Sequence, residues 1–135
     1  SPLSKYFAIH DGARPLVTEK IIEDTVREAF STGAAATGVR VKDTVKVVNE
    51  NGFITATPDR NYLWAVQTPQ VFERRLYLSA IDNVLNSEMF TDDCKLLEEY
   101  GAEVKMGEGS YENIKITTPE DTDIAQAILY RREQL

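Results

Sequence analysis

Tyr6-Phe7-Ala8-Ile9 is a short unbroken apolar run that gives way at once to His10-Asp11-Gly12-Ala13-Arg14. A run of that length predicts a strand covered on both faces. Ile22, Val26, Ala29 and Phe30 then recur at helical spacing. Thr18 is placed to cap that helix, Glu19 suits its positive end, and Gly33 suits its close. Ala34 to Val41 is small and apolar and reads as a second strand. Thr44 to Val48 and Phe53 to Thr57 are β-prone and flank Asn49-Glu50-Asn51-Gly52, which predicts a hairpin. Its threonines and Lys46 leave the ribbon partly polar. Such a ribbon projects from the body or pairs with another chain.

Leu63 to Val66 predicts another strand, which Thr68-Pro69-Gln70 interrupts because proline lacks a donor and restricts its neighbour. Arg74 to Leu85 reads as a helix with Leu78, Ile81 and Leu85 on one face. Thr91 is placed to cap a helix over Asp92 to Tyr100, closed by Gly101. Val104 to Met106 and Asn113 to Ile116 read as short strands. Thr118-Pro119-Glu120-Asp121 is a helix start, with a threonine cap, proline at the first position and acids in the first turn. That helix runs through Ile124, Ile128 and Leu129 to a basic end at Arg131-Arg132. The alternation predicts a single α/β domain over 1–135 with a mostly parallel sheet, and an arm over about 42–60.

Composition narrows the partners. At 135 residues, 42% hydrophobic and 27% charged, the chain has the makings of one globular domain. A net charge of −7 disfavours nucleic acid and anionic membranes. A phosphorylated substrate stays open, because a site needs only a few local cations. One cysteine cannot form an internal disulfide, and no apolar run approaches membrane-spanning length, so a cytoplasmic protein is expected. The opening Ser1-Pro2-Leu3-Ser4-Lys5 has no long apolar run after it and is not a secretory signal. A chain beginning almost directly with a strand hints at an upstream portion.

Ligands of an open α/β sheet bind beyond the carboxyl ends of its strands, which is where His10 to Arg14 falls. Asp11 suits Mg²⁺, a hard ion that takes carboxylate and phosphate oxygens. Gly12 lets a ligand approach the backbone, and the planar fork of Arg14 suits a phosphate or carboxylate. Spacing alone favours a plainer reading, an Asp11–Arg14 pair closing a βα loop. His10 is the sole histidine and reads as structural; no second one exists to build a zinc site. Cys94 reads as core. Lys115 either marks a sheet edge or aims a cation at phosphate. Lys42-Asp43-Thr44 and Asp59-Arg60 stand at the two feet of the hairpin and should converge; the plain alternative is a weak surface pair, Asp43 with Arg60. The glycines match neither a P-loop nor a dinucleotide fingerprint.

Taken in order, the stretches "HDGARPLVT", "VRVKDTVK", "PDRNYLWAVQTPQVF" and "TDDCKLLEEYGAEVKMGEGSYENIKITTPED" resemble the 2-C-methyl-D-erythritol 4-phosphate cytidylyltransferases of the non-mevalonate isoprenoid pathway. The resemblance implies a Rossmann-like nucleotidyltransferase fold and transfer of CMP from CTP to the sugar-alcohol phosphate, with Mg²⁺. It implies that Asp11 sits beside metal and nucleotide, that Gly12 lies near the ligands, and that Lys115 steadies the α-phosphate. It implies that Arg60, Thr44 and Thr68 grip the acceptor, with Arg14 and Thr91 lining its pocket. It implies a homodimer in which the arm carries Arg60, Thr44 and Thr68 to the partner's site. The family's Gly-rich CTP loop lies upstream of the matching stretches, so the chain is expected to be a carboxy-terminal portion with the amino-terminal part absent. Two alternatives stand: a ribitol 5-phosphate cytidylyltransferase, and a non-catalytic module that dimerises and binds a sugar phosphate.

Overall fold

The computed structural model describes residues 3–84 and 92–135. Six strands are described: β1 (Tyr6–Ile9), β2 (Ala34–Arg40), β3 (Val47–Val48), β4 (Ile54–Ala56), β5 (Trp64–Glu73) and β6 (Lys105–Glu108). The α-helices are α1 (Glu19–Thr32), α2 (Arg74–Asn83), α3 (Asp93–Tyr100) and α4 (Pro119–Glu133). The main sheet has the order β1-β5-β2-β6. β5 runs antiparallel to both β1 and β2, and β2 pairs parallel with β6, so three of the four strands share one direction. The expected α/β class holds, with β5 reversed in the middle of the sheet.

Period-two alternation decides what each face buries. Ala34, Ala36 and Phe72 face one way and pack with Ala80, Cys94, Leu96 and Leu97 under α2 and α3. Ala35 and Val71 face the other way and pack with Ala29 and Val26 of α1. The three alanines that open β2 are fully buried, as close cover on both faces requires. Phe72 stacks on Tyr77 at 5.5 Å between ring centroids. A third cluster, Leu16, Ala125 and Ile128 with Ile114 and Ile116, seats α4 beside the first βα loop.

Several boundaries and faces differ from the pattern-based expectation. The buried stripe of α1 is Ile21, Thr25 and Ala29, while Ile22 and Phe30 are exposed. Thr25 is turned inward, where its hydroxyl donates to the Ile21 carbonyl at 2.7 Å and lies 2.8 Å from Thr37 Oγ1. In α2, Leu76, Tyr77, Ala80 and Val84 reach the core, whereas Leu78 and Ile81 stay exposed; Leu85 lies outside the described residues. Thr68-Pro69-Gln70 does not end a strand. β5 continues through the cis Thr68–Pro69 bond, and Gln67, Thr68 and Pro69 bulge opposite Thr37, whose hydroxyl donates to the Pro69 carbonyl at 2.9 Å. Residues 113–116 form no strand, and Ile116 N–H instead bonds the Ala13 carbonyl at 2.8 Å. Asp92 caps α3 by accepting from Lys95 N–H at 3.2 Å; Thr91 lies outside the described residues.

The predicted hairpin forms a separate two-stranded sheet, shorter than its β-prone runs. Asn49 Oδ1 accepts from Asn51 and Phe53 N–H, and Gly52 takes the left-handed conformation that closes the turn. Residues 42–57 are all exposed, including Val47, Val48, Phe53 and Ile54. The foot is tied down: Arg60 Nη1 donates to the Lys42 carbonyl at 2.6 Å, Lys42 Nζ lies 3.8 Å from the Tyr111 ring, and Tyr111 donates to the Arg40 carbonyl at 2.7 Å. Arg60 therefore binds backbone at the opposite foot, and Asp59 turns to cap Asn61 N–H at 2.9 Å.

Candidate functional site

Three segments converge at one end of the main sheet: the loop after β1, the bulge of β5, and the extended stretch after β6. Together they line a cleft of about 190 Å³ that includes Asp11, Arg14, Gln67, Thr68, Gln70, Asp92, Asp93 and Lys115. Asp11 stands between two cations. Its Oδ2 is 3.3 Å from Arg14 Nε and 3.3 Å from Lys115 Nζ. Arg14 is held by the fold, being mostly buried and donating from Nη1 to the Asn113 carbonyl at 2.7 Å. Lys115 is half exposed, and its ammonium pairs with Asp11 alone among the described residues. The plainer reading of the Asp11–Arg14 spacing is realised, a loop-closing pair, and both residues also line the cleft.

Burial pushes the Asp11 carboxyl up, but the hydrogen bonds and charges of Lys115 and Arg14 together outweigh it and hold the group below its ordinary value of 3.8. The stability Asp11 contributes is then present above 3.8 and lost as pH falls through the lower folded value. A carbon-detected titration of Asp11 Cγ should give a midpoint below 3.8. A midpoint at or above it would mean that the two cations do not outweigh desolvation.

Neutral groups build the floor. Asn113 is fully buried; its amide donates to the Thr68 carbonyl at 2.9 Å and to Gln67 Oε1 at 3.3 Å. Gln67 Nε2 reaches back to the Ser110 carbonyl at 2.9 Å. These bonds lock the β5 bulge to the stretch that carries Lys115. Gln70 is buried, lines the cleft, and leaves its Oε1 without a partner among the described residues. A buried amide oxygen facing a cleft is ready to accept from a ligand. Asp92 and Asp93 complete the wall, with Asp93 accepting from the Tyr77 hydroxyl at 2.7 Å. Burial and then Asp93 push that phenol up to about 12. Burial first, and the neighbouring acids of α3 after it, also push the Cys94 thiol up to about 12, so it is core and not a nucleophile.

The structure brings Asp11, Arg14, Thr68 and Lys115 together. Gly12 sits on the exposed turn above them; a Cβ there would meet nothing within 4 Å, so its backbone is open to a ligand. Thr68 belongs to this floor, where its hydroxyl accepts from Asp11 N–H at 3.0 Å, and not to the arm. Thr44 and Arg60 are exposed at the arm and do not line the cleft. Sequence reasoning set His10 aside as structural and gave no site role to Asn113, Gln67, Gln70, Asp92 or Asp93. Among the described residues no group of three or more His, Cys, Asp or Glu is arranged to hold a metal. Asp11 Oδ1 keeps no protein partner among the described residues, which fits an ion completed by phosphate oxygens and water and not by a protein cage.

A sheet covered by helices on both faces is the nucleotidyltransferase fold, and beyond its strand ends a carboxylate stands between two cations. The family model described as 2-C-methyl-D-erythritol 4-phosphate cytidylyltransferase matches residues 2–131, and the chain belongs to that family. It is 57% identical over 125 residues to the enzyme of that name from Desulforamulus reducens, covering 92% of this chain and 53% of the relative. It is 55% identical over 123 residues to the one from Caldanaerobacter subterraneus subsp. tengcongensis, covering 90% and 54%. The crystal structure of 4-diphosphocytidyl-2C-methyl-D-erythritol synthase from Anaerococcus prevotii superposes with a TM-score of 0.88 at 37% identity, covering 96% of this chain and 61% of that one. The chain spans about half the length of the curated relatives it matches.

Proposed function

We propose that the protein containing this chain transfers CMP from CTP to 2-C-methyl-D-erythritol 4-phosphate, releasing pyrophosphate, in isoprenoid precursor biosynthesis. The observation that carries this reading is the Lys115–Asp11–Arg14 cluster at the strand ends of a chain belonging to that family. An oxygen of the acceptor's phosphate attacks the α-phosphorus of CTP. One P–O bond forms there, and the bond to the bridging oxygen breaks, so that pyrophosphate carries away the electron pair. Two anions must meet, and the chain's task is to hold them together and offset their charge.

Lys115 is the cation for the α-phosphate. It is half exposed at the cleft and free to leave Asp11 for a stronger anion. Asp11 is the protein ligand for Mg²⁺, through the carboxylate oxygen that its two cations leave open. Bound there, the ion would offset charge on the nucleotide phosphates. Arg14 keeps Asp11 oriented, and Thr68 and Gly12 line the acceptor's side. Thr91 is assigned to the same pocket by resemblance.

The arm supplies the rest. Its exposed Val47, Val48, Phe53 and Ile54 support burial against a second subunit, and Thr44 and Arg60, which do not line this chain's cleft, support delivery to the partner's acceptor site. The acidic charge gives no support to a nucleic-acid partner. No helix among the described residues is long and apolar enough to cross a membrane, and the lone buried cysteine suits the cytoplasm.

The purified protein should be assayed for pyrophosphate release with CTP, Mg²⁺ and each acceptor side by side. Methylerythritol phosphate should be preferred. A clear preference for ribitol 5-phosphate would reassign the acceptor, and inactivity with both would favour a binding module.

A further inference from the structure

His10 is the sole histidine of the sequence and lies just outside the cleft lining, yet both of its ring nitrogens are engaged. Nε2 is 3.0 Å from the Arg14 carbonyl oxygen, and Nδ1 is 2.9 Å from Thr68 Oγ1. A carbonyl oxygen only accepts, so Nε2 must carry the hydrogen. A neutral imidazole has one N–H, which leaves Nδ1 bare. The Thr68 hydroxyl must then donate to Nδ1. The same oxygen already accepts from Asp11 N–H at 3.0 Å. Its one hydrogen and one of its two lone pairs are therefore committed within the protein. A single lone pair is left, on a residue that lines the cleft.

We infer that His10 is a positioning residue that fixes Thr68 as a hydrogen-bond acceptor towards the bound substrate. Thr68 then reads a donor, a hydroxyl of the sugar alcohol, and not a phosphate oxygen, which also only accepts. The order of control runs from the Arg14 carbonyl to the His10 tautomer to the Thr68 hydroxyl. The loop that carries Asp11 thereby sets the hydrogen-bonding sense of a residue 58 positions away in sequence. The ligand half of this inference rests on the proposed cytidylyltransferase reading; the tautomer half does not.

Selective ¹⁵N-histidine labelling of the native protein at mildly alkaline pH, with the His10 ring signals assigned by their loss in His10→Phe, gives the ring spectrum. Nε2 should be the protonated nitrogen and Nδ1 the bare one, and Thr68→Val should shift Nδ1 because it loses its donor. A protonated Nδ1 would overturn the inference. The functional arm is a double-mutant cycle on the acceptor KM. His10→Phe should raise it roughly tenfold in the wild-type background and add little in the Thr68→Val background, because His10 acts through that hydroxyl. His10→Asn, whose Oδ1 can accept in place of Nδ1, should recover part of the loss. Equal losses in both backgrounds would overturn it. Thr68→Val should leave inhibition by inorganic phosphate unchanged; weaker inhibition would show Thr68 donating to phosphate. If the tautomer is as assigned but methylerythritol phosphate neither binds nor reacts, the ligand half falls with the functional reading.

Discussion

Lys115→Ala should lower kcat by about 10²- to 10³-fold while moving the acceptor KM far less, the signature of a group that acts on charge developing in the transition state. The two cations that flank Asp11 differ in a way that makes this a clean test. Arg14 is mostly buried, donates to the Asn113 carbonyl and holds the loop after β1 in place, so its removal mixes folding with chemistry. Lys115 is half exposed, and among the described residues its side chain holds Asp11 alone. Its loss leaves Asp11 still paired with Arg14, and no buried charge is orphaned. An exposed pair of this kind contributes at most about 1 kcal/mol to stability. The melting temperature should therefore barely change while turnover collapses. Lys115→Arg keeps the charge but replaces a compact ammonium with a planar fork, and should recover only part of the rate. A wild-type kcat in Lys115→Ala would remove the residue from the mechanism. Steady-state kinetics with both substrates varied, alongside thermal melts, decides the point.

The cluster of Asp11, Arg14 and Lys115 was legible in the sequence, whereas the amide floor and the acids Asp92 and Asp93 were not. Asp11, Arg14 and Lys115 announce themselves because ionic groups interrupt apolar stretches at strand ends, and the structure unites them. Asn113, Gln67 and Gln70 carry no charge and break no pattern. Asn113 meets Thr68 and Gln67 across 45 and 46 positions, a proximity that only the bulged register of β5 creates. His10 reads as an isolated structural histidine until the fold sets it between Thr68 and Arg14. The stretch with Lys115 looks like a strand by composition, but its backbone turns to the loop after β1 and not into the sheet. In α1 the helical period is plain, yet the buried face is rotated by one residue, to a threonine whose hydroxyl donates to the Ile21 carbonyl and rests against Thr37, leaving Ile22 and Phe30 exposed. Periodicity places elements well; it does not weigh a buried threonine pair against an exposed aromatic ring.

The arm poses a question that the cleft cannot answer alone, and mixing two crippled variants answers it. If Arg60 binds the acceptor as proposed, Arg60→Ala should raise the acceptor KM roughly 10- to 100-fold, the loss of a charge-assisted bond to phosphate, and should leave kcat at saturation less affected. Arg60 donates only to the Lys42 carbonyl at the arm's foot, an exposed contact whose loss costs the fold little. If the arm serves the partner, Lys115→Ala and Arg60→Ala damage different chains of the same site. In a mixed dimer one site receives both lesions and the other receives neither. Random reassociation makes about half of the dimers mixed, so about a quarter of the wild-type sites should return intact. Assayed at low acceptor concentration, the mixture should therefore far exceed either variant alone. If the arm folds back on its own cleft, every site keeps one lesion, and mixing restores nothing. The apolar side chains of β3 and β4 argue for the first outcome, because Val47, Val48 and Ile54 are left exposed on the arm. A flat response to mixing, in dimers shown to have exchanged subunits, would return Arg60 to its own chain's chemistry.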